Sequence, residues 1–557
     1  MKQTHKSTSR GFTLLEVLLV IAAIGILAAI VLVAINPNKQ IEAARSAKRR
    51  ADINTIQKAI QQYSIDNNGQ YPTGIETGAK AICRGGAPVG CIDLSSILAP
   101  TYLASIPEPD SNYYYVRRSN NSIEVSHPRD DIWNIGGTPS LDLNFASNKS
   151  LIDNVTGNNL VTFTRTSGGT YVGEDGLIKT AGVNEPRFDH NPTTRESLGL
   201  LVEEARTNLL LRSEEFDNAS WSKLAASATA NTATAPDNTV TAGSLIESAT
   251  TDIHVAYQDI AGSASAQYTQ SIFAKANTRS YVQLSIGDGG PNNVSAVFNL
   301  SAGTIVSTAI GGTGSGVSAS IKSYPNGWHR ISVTGVPAAA GNNVRQHIYI
   351  LSPTLQGSYA GDGVSGIYLW GAQLEAGAFP TSYIPTTSSA ATRAADIASI
   401  TGTNFSSWYN QTEGTLFAEW FGGPVDVNKY PSFFAARNSS ANNSQNTVEI
   451  FQGPSLSSVR PNGLVRVNNV NQIVRDAGDL VAFNARVKAA LGVRVNDFAF
   501  TVNGSLIGGT QTSGTLPTVD TANIGFNTTS DFINGTISRI TYFPQRLSNA
   551  NLQRITQ

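Results

Sequence analysis

Residues Arg10–Ile35 read "RGFTLLEVLLVIAAIGILAAIVLVAI", and from Val17 to Ile35 the stretch carries no charge for nineteen residues. As a helix that run spans roughly 28 Å, close to the hydrocarbon thickness of a bilayer. The length predicts a membrane helix rather than a core helix. One letter conflicts with lipid: Glu16, five residues into the apolar sequence. An ionised carboxylate costs about 2.5 to 3.5 kcal/mol near the centre of a membrane helix, so it persists there only with a partner. Lys2, Lys6 and Arg10 form a basic leader like that of a secretory signal. The apolar run, however, exceeds a typical h-region and ends in "AINPNK", with no small-residue cleavage site. Ordinary signal cleavage is therefore not expected. Lys39, Arg45, Lys48, Arg49 and Arg50 follow the span as closely as the leader precedes it, so Lys/Arg counts leave orientation open.

Past the span, Asn36 suits a cap and Pro37 the first position of a further helical stretch. Ile53, Ile56, Ile60 and Tyr63 recur at spacings of 3, 4 and 3, one apolar helix face, and "DNNGQYP" supplies the turn chemistry that ends it. Cys83 and Cys91 are the chain's two cysteines, close together in "CRGGAPVGC". In an exported chain that spacing reads as a disulfide, in a cytosolic one as two free thiols, and without nearby histidines it makes a poor metal site. At 557 residues the chain is too long for one core. Net charge is −1 and 14% of residues are charged, which gives no basic surface for nucleic acid. From about residue 130 onward, short alternating runs rich in Ser, Thr, Asn, Val and Ile lie between turn residues, the pattern of β-sandwiches.

Basic leader, "GFTLLE" and apolar run together resemble the N-terminal class III signal of type IV prepilins and type II secretion pseudopilins. The resemblance implies a cytoplasmic cut by prepilin peptidase between Gly11 and Phe12, methylation of the new N-terminal Phe12, and a partner for Glu16 in the Phe12 α-amine of a neighbouring subunit. It also implies inner-membrane anchoring by one span before assembly, then a place in a pilus or pseudopilus among other pilin subunits. A plain signal anchor whose Glu16 snorkels to the membrane surface is the alternative. The segment "LSSILAPTYLASIPEPDSNYYYVRR" resembles pilin and major pseudopilin heads. Some of those heads hold calcium in the following loop, where Glu108, Asp110 and Asn112 are the candidates here; solvated turn residues explain the same letters.

A pilin would end near residue 130. "PSLDLNFA" (Pro139–Ala146), "VTFTRTSGGTYVGEDG" (Val161–Gly176) and "EPRFDHNPTTRESLGLLVEEARTNLLLRSEEFDNASW" (Glu185–Trp221) resemble a module of tailed-phage structural proteins. "YLWGAQLEAGAFPTSYIPTTSSAATRAAD" (Tyr368–Asp396) is similar to the end of a carbohydrate-binding-like module of the same proteins. The runs "EGTLFAEWFGG" and "INGTISRITYFPQRLSNANLQRIT" resemble a concanavalin A-like lectin or laminin-G-like sandwich, and "FTVNG" carries the Asn-Gly of a tight hairpin. The expected fold is therefore multidomain, α+β and all-β. A leader (1–11), an assembly helix (12–36) and a pilin-like helix and head (37–135) precede a β connector (136–212), a jelly roll (213–396) and a concanavalin A-like sandwich (405–557).

No catalytic constellation stands out, and an enzyme is not expected. Paired glycosidase carboxylates are missing from Phe405–Gln557, where Glu419 is isolated and Asp426 lies beyond a Gly/Gly/Pro break. "GGTGSGVSAS" (Gly311–Ser320) lacks the G-x-S-x-G spacing of a nucleophile and reads as a loop. The six histidines are scattered singly. His190 stands beside Asp189, but neighbours on a strand point apart. Trp328 and Trp370 have rings able to stack on sugars, although their framework settings favour core packing. The reading is a minor pilin or pseudopilin displaying β-sandwich adhesion modules for a glycan or other surface ligand. A phage-derived attachment protein with a pilin-like N-terminus is the alternative, and a polysaccharide-acting enzyme a third.

Overall fold

In a computed structural model of the chain, the described residues are 37–75, 80–83, 91–108, 114–119, 122–126, 139–422, 429–439, 445–455, 458–478, 485–527 and 531–557. They form two compact units, Met1–Ile135 and Gly136–Gln557. The expected membrane helix lies outside the described residues; among those described, no helix is long and apolar enough to cross a membrane.

The first unit is built on the helix Pro37–Asp66. Ile53, Ile56 and Ile60 are buried, and Tyr63 meets the Tyr102 ring edge-on at 5.6 Å. Each isoleucine so buried contributes about 1.5 to 3 kcal/mol. The helix ends by a Schellman pattern, with Asn68 at φ 56° and the Gly69 amide donating to Ser64 O at 2.8 Å. Its apolar face covers a four-stranded sheet ordered Ile92–Asp93, Lys80–Cys83, Tyr115–Ser119, Ser122–Ser126, through Ile82, Ile92, Val116, Ile123 and Val125.

The second unit contains two β-sandwiches, one inserted into the other. In the first, a sheet of eight strands faces a sheet of seven across a continuous apolar core. The eight-stranded sheet runs Ser505–Gln511, Asp497–Val502, Arg486–Arg494, Glu413–Phe421, Gly535–Phe543, Ser197–Val202, Phe188–His190, with Leu141–Leu143 also paired to Gly535–Phe543. In the other sheet, Ile397–Thr401 lies between Thr521–Ile524 and Thr162–Thr164. Residues 136–212 are thus not a free connector. Their three- to six-residue strands bury Leu141, Leu143, Phe163, Leu200 and Val202 in the core expected to begin at residue 405, because so short a segment has no core of its own. Gly199 (φ 101°) sits where a Cβ would lie 2.1 Å from Ile537 O, so only glycine lets these two strands approach. Asn503 (φ 45°) and Gly504 (φ 80°) form the hairpin turn expected of "FTVNG", both residues at positive φ as a type I′ turn requires.

The inserted sandwich faces a seven-stranded sheet with a six-stranded one. Leu284, Ile286, Val294, Phe298, Ile348 and Ile350 on the first sheet share a core with Leu245, Ile272, Ile331, Val333 and Leu369 on the second. Its entry and exit strands, Arg206–Asn208 and Ala391–Arg393, pair antiparallel. Gly311–Ser320, expected as a loop, belongs to two strands, Thr304–Gly311 and Ser315–Ser323, and the turn joining them. With three glycines in the first four positions and serines after, its letters carry little apolar alternation, and every residue of Thr304–Ile310 is exposed.

Candidate functional site

Gly11, Phe12 and Glu16, the residues the N-terminal motif singles out, lie outside the described residues. What is described is the head that follows them. Cys83 ends one strand and Cys91 precedes its parallel neighbour, and the two are joined as a disulfide. The bridge links the end of one strand to the start of the edge strand beside it. Cys83→Ser is expected to destabilise the head by about 2.5 kcal/mol, the loop entropy returned to the unfolded chain. Thermal unfolding with and without reductant measures it: wild type in reductant should match the variant. Nearby, the Lys48 ammonium bonds Glu108 O at 2.7 Å and Asp52 Oδ2 at 3.2 Å, while Tyr114 Oη donates to Asp52 at 2.7 Å. Of the calcium candidates, Asp110 and Asn112 lie outside the described residues. Among the described residues no group of three His, Cys, Asp or Glu is placed to hold a metal.

The candidates in the sandwiches are brought into structural roles. Trp328 and Trp370 are buried. Trp328 Nε1 donates to Thr234 O and Trp370 Nε1 to Thr241 Oγ1, each at 3.0 Å, and Trp370 packs on Phe273 and Tyr383 at 5.3 and 4.7 Å. Neither ring has a free face for a sugar. Glu419 accepts from Arg486 Nη1 at 2.6 Å, and the same guanidinium also holds Glu196. Asp426 lies outside the described residues. Asp189 and His190, expected to point apart, both reach the Val172 peptide: Asp189 Oδ1 accepts from its amide at 2.6 Å, and His190 Nδ1 lies 3.1 Å from its carbonyl.

A buried charge cluster at the root of the insertion was not anticipated. Arg165, Arg187 and Arg393 surround Asp396 and Glu203, and none of the five residues is more than 5% exposed. Arg165 Nη1 bonds Asp396 Oδ1 at 2.9 Å, Arg187 bonds Asp396 Oδ2, and Arg187 Nη1 lies 2.8 Å from Glu203 Oε2. Arg393 Nη2 stands 3.4 Å from Glu203 and donates to Glu204 O at 2.8 Å. The Glu203 carboxylate also accepts the amide and the hydroxyl of Ser382, both at 2.7 Å. Burial alone would raise its pKa, but Arg393 and Arg187, with the Ser382 bonds, hold it at about 2. Arg165, Arg187 and Glu203 precede the entry strand in sequence; Ser382 lies just before the exit strand, Arg393 on it and Asp396 beyond it. The cluster ties both ends of the inserted sandwich to its host and leaves no carboxylate free for chemistry.

Residues 6–32 match the family described as the prokaryotic N-terminal methylation motif. Over 111 residues the chain is 36% identical to the type II secretion system core protein G of Aeromonas hydrophila, covering 20% of this chain and 73% of that protein. The chain belongs to the type II secretion system core protein G family. Core protein G of Escherichia coli (strain K12) is 42% identical over 73 residues, of which the chain spans 47%. The protein of Pectobacterium carotovorum subsp. carotovorum matches at the same identity and length over 44%. The chain thus spans less than half of these two core protein G relatives, and the matched part is a small share of its own length. Among solved structures, the chain is similar to the Ruminococcus gnavus IT-sialidase CBM40 bound to alpha2,3 sialyllactose. That similarity is 15% identical at a TM-score of 0.22, over 27% of this chain and 84% of that one. For the Trypanosoma rangeli sialidase in complex with the inhibitor DANA the figures are 9% and 0.23, over 57% and 60%.

Proposed function

We propose that this core protein G homologue is a minor pseudopilin or pilin subunit that carries a paired β-sandwich for adhesion to a surface ligand, a glycan in the first instance. The observation that carries the reading is the methylation motif at residues 6–32, followed by a pilin-like helix and head and then by a second compact unit, Gly136–Gln557. Prepilin peptidase cuts between Gly11 and Phe12 on the cytoplasmic side, Phe12 is methylated, and the membrane span releases the subunit into a filament. The Cys83–Cys91 bridge suits the oxidising side of the inner membrane. A displayed unit several times the size of the head would crowd a filament in which every subunit carried one, which favours a tip or a sparse position.

Co-expression with prepilin peptidase tests the reading at its root. The chain should shorten by the eleven residues up to Gly11, and immunogold labelling of the second unit should mark isolated points on filaments. An uncut chain would favour a phage-type attachment protein, for which a class III signal has no use. Uniform decoration along filaments would overturn the sparse position.

A further inference from the structure

With both framework tryptophans buried, a ligand surface has to be sought elsewhere on the inserted sandwich. In the strand Asn343–Ile350, Val344, Ile348 and Ile350 enter the core, so Arg345, His347 and Tyr349 stand on the outer face of the seven-stranded sheet. Strand register extends that face sideways. Tyr257, His347, Ser285 and Ser295 lie in one row across four strands, and Asp259 and Arg345 face each other in the next. His347 stacks on Tyr349 (5.2 Å, 22° between planes) and meets Tyr257 at 5.7 Å. Beside these rings the row drops to two serines, Ser285 and Ser295, only 4% and 5% exposed between taller neighbours. At the rim, Arg345 Nε and Nη2 bond Asp259 Oδ1 and Oδ2 at 2.7 and 2.8 Å, with the guanidinium 4.7 Å over the Tyr257 ring. Both rim side chains remain partly exposed, 29% and 42%.

We propose that this outer face, with Tyr257, His347 and Tyr349 as the wall, Ser285 and Ser295 as the floor and the Arg345–Asp259 pair as the rim, binds a neutral oligosaccharide. The inference rests on the adhesion reading above and gives that reading a location and a ligand class. Sugar rings present apolar C–H faces and adjacent hydroxyls. Aromatic rings meet the first, and a rigid donor beside a rigid acceptor meets the second without burying a new charge. The rim pair sums to zero charge, which gives an anionic sugar no advantage over a neutral one. The His347 ring presents its face to the groove, while its Nδ1 is closed to solvent. Burial and the Arg345 charge hold its pKa at about 4, so the ring is neutral around pH 7.

The test uses the full chain in detergent, titrated calorimetrically with cello-, malto-, manno- and N-acetylchito-oligosaccharides and with acidic oligogalacturonides. Wild type should bind at least one neutral series. Tyr349→Ala and Tyr257→Ala should each lower affinity tenfold or more. Ser295→Tyr, which closes the floor, should do the same in a chain whose circular dichroism shows the sandwich still folded. Tyr430→Ala, an exposed ring on the other sandwich, should bind as wild type. If all three face variants bind normally, the face is wrong and the glycan reading survives. If wild type binds acidic oligosaccharides alone, the ligand class is wrong. Binding to no sugar overturns both the face and the glycan reading.

Discussion

Asp396→Ala is expected to lower the stability of the second unit by about 3 to 5 kcal/mol, the cost of removing one partner from a buried ion pair. Asp396 accepts from Arg165 and Arg187, and one of its oxygens takes the Glu203 amide at 2.9 Å. Without it, three guanidinia share the single carboxylate of Glu203, together with backbone carbonyls, where water does not reach. Thermal unfolding should shift by roughly 5 °C. Asp476→Ala is the comparison. Its partner Arg460 makes equally short contacts, but both side chains are more than a third exposed, and the loss should stay under about 1 kcal/mol. Equal losses from the two variants would sink the argument that burial, rather than the number of contacts, sets the strength of the cluster. The acid limb carries a second expectation. Glu203 titrates near 2 in the folded unit and near 4.3 unfolded, so its contribution is complete above about pH 4.3 and is lost as pH falls towards 2.

The same cluster shows where the sequence stops being legible. Helix, head and motif could be read because their signals are local: Ile53, Ile56 and Ile60 recur at helical spacing, and Asn503-Gly504 needs no distant partner to form its turn. The insertion could not be read, because Leu141–Leu143 and Thr162–Thr164 are too short to show a period, and their partners lie hundreds of residues away, as in Leu143 against Ile540. The charges of "VTFTRTS" and "TRAAD" look solvated in sequence; the pairing of Thr162–Thr164 with Ile397–Thr401 brings Arg165 to Asp396, and both are buried. Trp328 and Trp370 could be read from their framework runs, which favoured core packing over a sugar platform, and both are buried. The smaller rings of "VRQHIYI" alternate plainly, yet which face of that strand is outward depends on the facing sheet.

Glu16→Ala should leave peptidase processing and membrane insertion largely intact while abolishing most incorporation into a filament. In the proposed function, cleavage reads the leader and the Gly11-Phe12 bond, and insertion reads the uncharged run Val17–Ile35, which the substitution makes, if anything, more apolar. Assembly is different. Once the proposed cut removes the leader, Phe12 would carry a new α-amine beside the apolar run, a charge as unfavourable in hydrocarbon as the Glu16 carboxylate. Pairing the amine of one subunit with the carboxylate of its neighbour removes both penalties in one contact, and it can form only between subunits in register. Alanine leaves the amine buried and unpaired, a cost of several kcal/mol per subunit, enough to reduce incorporation by more than tenfold. Membrane fractionation checks that the cut subunit accumulates, and sheared filaments probed for the second unit check assembly. Glu16→Gln separates charge from shape: it keeps the side chain's size and hydrogen bonding but cannot neutralise the amine, so it should fail nearly as badly as alanine. Full incorporation of either variant would mean that the carboxylate merely snorkels and that subunit register is set elsewhere along the helix.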